Sequence, residues 1–170
     1  MKLLIVRHAI AQNREIFAKT GDDDRRRPLT REGHRKFARG AKGIARLVPR
    51  LDGLATSPLA RANETAEILA KAYGGGVKPV QLAALAPGRR PHDVLAWVKS
   101  HPVKDRGATV AVVGHEPDLS TFASWALTGL QESFVEMKKG SAILVEFEKD
   151  VAAGRAKLLW ALAPRLLREM

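Results

Sequence analysis

Three short apolar runs, KLLIV at 2–6, GLAT at 53–56 and TVAVV at 109–113, are unbroken rather than alternating. A strand with one wet face alternates apolar and polar residues. A run with no polar face must be covered on both sides, which is the situation of a strand in a parallel sheet packed between helices. Between the runs, apolar residues recur at helical spacing over 30–48, 58–73 and 91–100, and again over 117–128. Strand and helix therefore alternate as in an α/β domain. Two late runs, SAILVEF at 141–147 and AKLLWAL at 156–162, are joined by a turn through Asp150 to Gly154 and read as an antiparallel hairpin at one edge. The 170 residues show no repeat, linker or break in composition, so one domain over 1–170 is expected. Gly74–Gly76 and APGRRP at 86–91 read as loops within it.

Ligand sites in such sheets form beyond the carboxyl ends of the strands. The first run stops there on Arg7 and His8, the second on Ser57-Pro58, and the third on Gly114-His115-Glu116. Ser57 followed by Pro58 is a helix-start signal, with Ser57 as N-cap and Arg61 one turn in, and Glu116-Pro117 opens a second helix by the same logic. Two helix N-termini, arginines and histidines on one rim all favour a bound anion. That answers why a buried strand should end on two groups that resist burial.

Composition narrows the chemistry. There is no cysteine, so disulfides, thiolate catalysis and Cys-based metal sites are excluded, and the five histidines lack H-x-x-x-H or H-E-x-x-H spacing. No metal or other cofactor is implied. Lys and Arg number 29 against 18 Asp and Glu, which favours anionic partners. Arg31, Arg35, Arg39, Lys42 and Arg46 form one face of a helix opposite Phe37, Ala38, Ala41, Ile44, Ala45 and Val48, either a solvated surface or a docking face. Trp97, Trp125 and Trp160 show no stacking pattern for single-stranded nucleic acid and read as packing residues. His34, His92 and His101 read as surface or packing residues, and Asp22 to Asp24 as a solvated acidic loop near the pocket. No leader or membrane-length apolar run is visible, so a cytoplasmic monomer is expected.

Taken together, IVRHA at 5–9, RPLTREG at 27–33, TSPLARANETA at 56–66, VGHEPDLS at 113–120 and KGSAILVEF at 139–147 resemble the histidine phosphatase superfamily. Within it the chain looks most like the small SixA-type phosphohistidine phosphatases. The resemblance implies a phosphoglycerate-mutase-like three-layer α/β/α sandwich with a mainly parallel sheet and no large cap insertion. It also implies catalysis through a covalent phosphohistidine. His8 would be the nucleophile, one ring nitrogen attacking phosphorus while an acceptor on the other fixes the tautomer. Arg7 and Arg61 would cradle the phosphoryl oxygens, and His115 would complete the pocket as donor or cation. Arg27 would contact the substrate or support those that do.

Two departures matter. Ala9 stands where many members have Gly. The segment QLAALAPGRRP at 81–91 has no carboxylate, whereas mutase-like members place there a Glu that protonates an alkoxide leaving group. Nitrogen leaves a phosphoramidate far more readily, so the expected substrate is phosphohistidine in a protein. Glu116 is either a negative cap on the following helix or an acid at the place where acid-phosphatase branches carry one. In the latter case small phosphomonoesters become substrates. A non-catalytic module that binds phosphate or polyanions is the alternative from another class, and the intact set Arg7, His8, Arg61 and His115 argues against it.

Overall fold

The computed structural model describes residues 1–89, 91–101 and 107–170, without the side chains of residues 91 and 92, so the expectation for His92 lies outside the described residues. Six strands form one sheet: β1 (Lys2–Arg7), β2 (Gly53–Thr56), β3 (Val80–Gln81), β4 (Thr109–Gly114), β5 (Ala142–Phe147) and β6 (Ala156–Leu162), in the order β3-β2-β4-β1-β5-β6. The pairs β1–β4, β2–β4 and β2–β3 are parallel; β5 runs antiparallel to β1 and β6 antiparallel to β5. The hairpin thus forms one edge, as its two late runs suggest.

Unbroken apolar strands have the expected cause. Leu3, Ile5, Ala55, Val110 and Val112 face one core with Val94, Val98, Leu119 and Phe122, from α4 (Pro91–Lys99) and α5 (Asp118–Thr128). Leu4, Val6, Leu54, Ala111 and Val113 face the other with Phe37 and Ile44 of α2 (Arg31–Leu47), Ala62 and Leu69 of α3 (Ala60–Ala72) and Leu167 of α6 (Pro164–Glu169). Helices on both faces make three layers. Each fully buried Leu, Ile or Val contributes about 2 kcal/mol of transfer free energy, which rewards apolar residues at every strand position.

Several local expectations need correction. Helix α3 starts at Ala60 with Leu59 as cap, so Ser57 is not the N-cap and Arg61 is the second residue of the helix. Helix α5 starts at Asp118 after a cis Glu116–Pro117 bond. Ala38 is exposed, because α2 turns only the narrower stripe of Phe37, Ala41 and Ile44 fully inward. Strand β3, the short helices α1 (Arg14–Ala18) and α6, and 3₁₀ turns at Asp24–Arg26 and Ala83–Leu85 have no counterpart in the periodicity.

Two close approaches position the rim. Thr30 caps α2 by accepting from the Gly33 amide at 2.9 Å, and the helix then runs against the segment that follows β1. A methyl group on Gly33 would lie 2.1 Å from the Ile10 carbonyl oxygen, so only glycine lets the helix start this close. On the other side, the Gly140 amide donates to the carbonyls of Arg7 at 3.2 Å and His8 at 3.1 Å, with φ of 81°.

Gly33→Ala must push either α2 or residues 8–10 aside, and a loss of about 2–3 kcal/mol is expected, read as a lower urea midpoint at unchanged m-value. Gly76→Ala, whose methyl would meet only the Tyr73 carbonyl at 3.9 Å, should stay within about 0.5 kcal/mol of the parent.

Candidate active site

The three parallel strands β1, β2 and β4 deliver their terminal residues to one place. The His8 amide donates to the Gly114 carbonyl at 3.0 Å and the Ser57 amide to the Val113 carbonyl at 2.9 Å, so the strand ends stay in register after the ladder stops. His8 and His115 meet with ring centroids 5.0 Å apart, tilted by 54°. Both are buried, 6% and 4% exposed, as are Arg61 at 5% and Arg27 at 8%.

Each side chain is held at its outer end. His8 Nδ1 lies 2.8 Å from the Ala9 carbonyl, which can only accept, so Nδ1 carries the proton and Nε2 carries the lone pair. The Ala9 amide in turn donates to Thr65 Oγ1 at 3.0 Å, and Thr65 donates to the Arg61 carbonyl at 2.6 Å. The Arg-Ala-x-x-Thr spacing of α3 therefore ties the His8 loop to the helix that carries Arg61. Arg7 donates through one terminal nitrogen to the Met137 carbonyl. His115 Nε2 and Ser57 Oγ are hydrogen-bonded at 2.8 Å. Ser57 thus serves the histidine rather than the helix end, although its Oγ also accepts from the Leu59 amide at 3.3 Å.

Asp24 is the residue the sequence pattern hides. Its carboxylate accepts from Arg27 Nε at 2.7 Å and lies 3.3 Å from a terminal nitrogen of Arg61, which also donates to the Asp24 backbone carbonyl at 3.0 Å. The hydrogen bond from Arg27 holds this carboxyl below the usual carboxylate range. A second donor of Arg27 goes to the Gln12 carbonyl at 2.7 Å. Arg27 is thereby built into the wall beside Arg61, while Asp22 and Asp23 stay on the surface, Asp22 pairing with Arg26 at 3.2 Å.

Among the described residues, four buried side-chain atoms have no hydrogen-bond partner: Arg7 Nε, Arg61 Nε, His115 Nδ1 and Ser141 Oγ. Buried polar groups are rarely left so, and three of the four belong to the residues that accompany His8, the fourth to Ser141, whose carbonyl accepts from the Arg7 amide at 3.1 Å. Burial, reinforced by the neighbouring arginines, lowers both histidines from 6.5 to about 3; the Ala9 hydrogen bond opposes this at His8. Both rings are neutral at pH 7, so His115 is a neutral hydrogen-bonding group rather than a cation. A neutral ring with a bare Nε2, beside two guanidinium groups with free N–H, can attack a phosphoryl group and stabilise the charge on its oxygens.

The remaining expected residues are placed as follows. Glu116 is partly buried, and its Oε1 accepts from the Ser120 amide at 3.1 Å, which caps α5. Burial raises its pKa, opposed by Ser120. Leu85 and Arg89 line a small cavity with His115 and Asp118, and Asp118 accepts from the Gly88 amide at 2.9 Å. His34 lies outside the cluster, hydrogen-bonded to Glu64 at 3.0 Å, and His101 packs on Trp97 with ring centroids 4.3 Å apart.

Known proteins agree with this arrangement. Residues 3–86 match the model of the histidine phosphatase superfamily (branch 1). An uncharacterised protein of Picosynechococcus sp. is 36% identical over 143 residues, 84% of this chain and 83% of that one. Among solved structures, the protein histidine phosphatase SixA complexed with tungstate superimposes with a TM-score of 0.80 at 21% identity, over 98% of this chain and 99% of that one. The mycobacterial glucosyl-3-phosphoglycerate phosphatase with inorganic phosphate does so with a TM-score of 0.67 at 16% identity, over 96% and 98%. The chain belongs to the histidine phosphatase superfamily, and its fold is that of the phosphoglycerate-mutase-like members. Membership supports phosphatase activity, a hydrolase function. No helix among the described residues is long and apolar enough to cross a membrane.

The neutral histidines make stability depend on pH. The unfolded chain protonates each near pH 6.5 and the folded chain only near 3, so between those values the unfolded state binds more protons and stability falls as pH falls. From pH 7 to pH 5 the loss is about 2 kcal/mol per histidine. Urea midpoints across that range should fall less steeply for His8→Asn, by about 2 kcal/mol over the two units.

Proposed function

We propose that the chain is a phosphohistidine phosphatase, acting on phosphohistidine in proteins through a covalent intermediate on His8. The observation that carries this reading is that, among the described residues, the carboxylates beside the pocket are already engaged in hydrogen bonds. The run 81–91 carries no carboxylate in its sequence, its Leu85 and Arg89 lie beside His115, and the neighbouring Glu116 and Asp118 accept backbone N–H bonds from Ser120 and Gly88. A phosphoester needs its alkoxide protonated as it leaves, whereas imidazole leaves with a pKa near 6.5 and takes its proton from solvent.

In this reading the Nε2 lone pair of His8 forms a bond to phosphorus in line with the departing nitrogen. The substrate P–N bond breaks with its electron pair staying on the imidazole. Arg7 and Arg61 neutralise the equatorial oxygens through Nε and their remaining N–H groups, and His115 donates from Nδ1 while Nε2 accepts from Ser57. Water then attacks phosphorus, orthophosphate departs and His8 returns to its Nδ1–H form. The charge is supplied by side chains, so the reading requires no metal. The SixA protein with which the fold superimposes is itself described as a protein histidine phosphatase, which supports the substrate class.

A second reading has one observation in its favour: burial raises the pKa of Glu116, which favours its protonated, proton-donating form. It makes the chain a small-molecule phosphomonoesterase.

Intact-mass spectrometry after a neutral quench tests both. Wild-type protein should turn over a phosphohistidine protein and carry a transient phosphate adduct, and His8→Ala should lose the adduct and at least about a thousandfold in rate. Glu116→Gln should leave that rate within about threefold, because its cap on Ser120 survives as an amide oxygen. Turnover confined to an alkyl phosphate such as glycerol 2-phosphate, lost in Glu116→Gln, would sink the phosphohistidine reading in favour of the second. Indifference to His8→Ala would end both.

A further inference from the structure

The chemistry above leaves the basic face of α2 and the groove beside it without a role. Arg31, Arg35, Arg39 and Lys42 are exposed along that face, and among the described residues none has a carboxylate within 4 Å. Exposed arginines on a helix are ordinarily solvated and by themselves select nothing. The groove is different. It opens where α2, α6 and the turn before β5 meet, with a floor of Ile10, Phe37 and Pro164 and a rim of Lys36, Lys139 and Arg168. No carboxylate lines it, although Lys36 on its rim is paired with Glu32 at 2.5 Å, a solvent-accessible pair that a partner's carboxylate can exchange with.

Its position matters more than its charge. The groove also touches Ala9, the residue after His8, and Gly140, whose amide bonds to the His8 carbonyl at 3.1 Å. The charge on Lys139 is felt at His8. Lys36 and Arg168 are half-buried, so their aliphatic stems line the walls while the charged ends reach the rim. A protein whose phosphorylated histidine sits at His8 thus has, one residue along this chain, an apolar hollow bordered by three basic side chains.

We infer that this groove, with the α2 face behind it, docks an acidic protein surface flanking the phosphorylated histidine. The partner places carboxylates against Lys36, Lys139 and Arg168 and an apolar side chain against Ile10 and Pro164. This rests on the phosphohistidine reading and adds the nature of the protein that bears the group. The net charge of +11 draws such a partner in from a distance, and the groove fixes which of its sides faces His8. Phe37 is only 3% exposed and offers no ring face for a base to stack on, so the groove suits a peptide segment better than a nucleic-acid strand.

The test uses two synthetic peptides with one phosphohistidine each, flanked by glutamates in one and by lysines in the other, with free phosphoramidate as a third substrate. At low salt the wild-type protein should favour the glutamate peptide by at least about tenfold in kcat/KM, mainly through KM, and 0.5 M salt should erase most of the preference. In Lys36→Glu/Arg168→Glu the preference should vanish or invert, while phosphoramidate turnover stays within about twofold of wild type. Equal turnover of both peptides by the wild type, with phosphoramidate also hydrolysed, overturns the docking face and leaves the phosphohistidine reading standing. No turnover of any P–N compound removes that reading and the docking partner with it. Competition by a mixed-sequence DNA duplex stronger than by the glutamate peptide at equal charge replaces the acidic protein with nucleic acid.

Discussion

Two guanidinium groups, on Arg27 and Arg61, are buried side by side with one carboxylate between them, and the site depends on that carboxylate. Like charges in a poorly hydrated pocket repel, and removing one partner of a buried ion pair leaves an uncompensated charge. Asp24 answers this from a one-turn 3₁₀ helix that Asp23 caps by accepting from the Arg25 amide at 2.9 Å. The bonds it receives fall on the outer side of Arg61. The Nε of Arg61 is left without a partner, as are the Nε of Arg7 and the Nδ1 of His115. The fold therefore spends its own acceptors on holding the cations in place and keeps the inward donors free. Asp24 offsets only part of the charge of Arg7, Arg27 and Arg61, and a phosphoryl group would neutralise the excess.

How much of this a sequence can disclose follows from the range of the forces involved. The three-layer sheet was legible because covering both faces of a strand leaves a mark at every position of 2–6 and 109–113. The rim was legible because Arg7, His8 and His115 follow those runs directly. The short elements left no such mark. Strand β3 has two exposed residues, and α1 and α6 are shorter than the window in which helical periodicity can be seen.

Long-range partners were the other omission. Ser57-Pro58 satisfies every local rule for a helix start, but His115 lies 58 residues away in sequence and its ring takes the hydroxyl. Thr65 stands inside a quoted motif, yet its purpose is clear only when Ala9, 56 residues earlier, is seen donating to it. Asp24 read as one of three solvated acids because nothing local distinguishes it from Asp22 and Asp23. Arg27 drew notice through its Pro-Leu-Thr context, and the pairing of its segment with 10–12, through the Gln12 amide on the Pro28 carbonyl at 3.0 Å, explains why that context matters.

The depressed basicity of His8 bears on the direction of the proposed reaction. An imidazole held at a pKa of about 3 is always ready as a nucleophile at pH 7, because no proton must be removed first. It is also a weak base, so its bond to phosphorus is correspondingly easy for water to break. The substrate's imidazole, released to solvent, recovers a pKa near 6.5 and can be captured by a proton, whereas His8 cannot. In the proposed reaction, transfer onto the less basic His8 is therefore the uphill step, and the hydrolysis that this weak bond favours draws the sequence forward. The same burial that destabilises the folded chain at acid pH makes His8 a transient carrier of the phosphoryl group rather than a resting place for it.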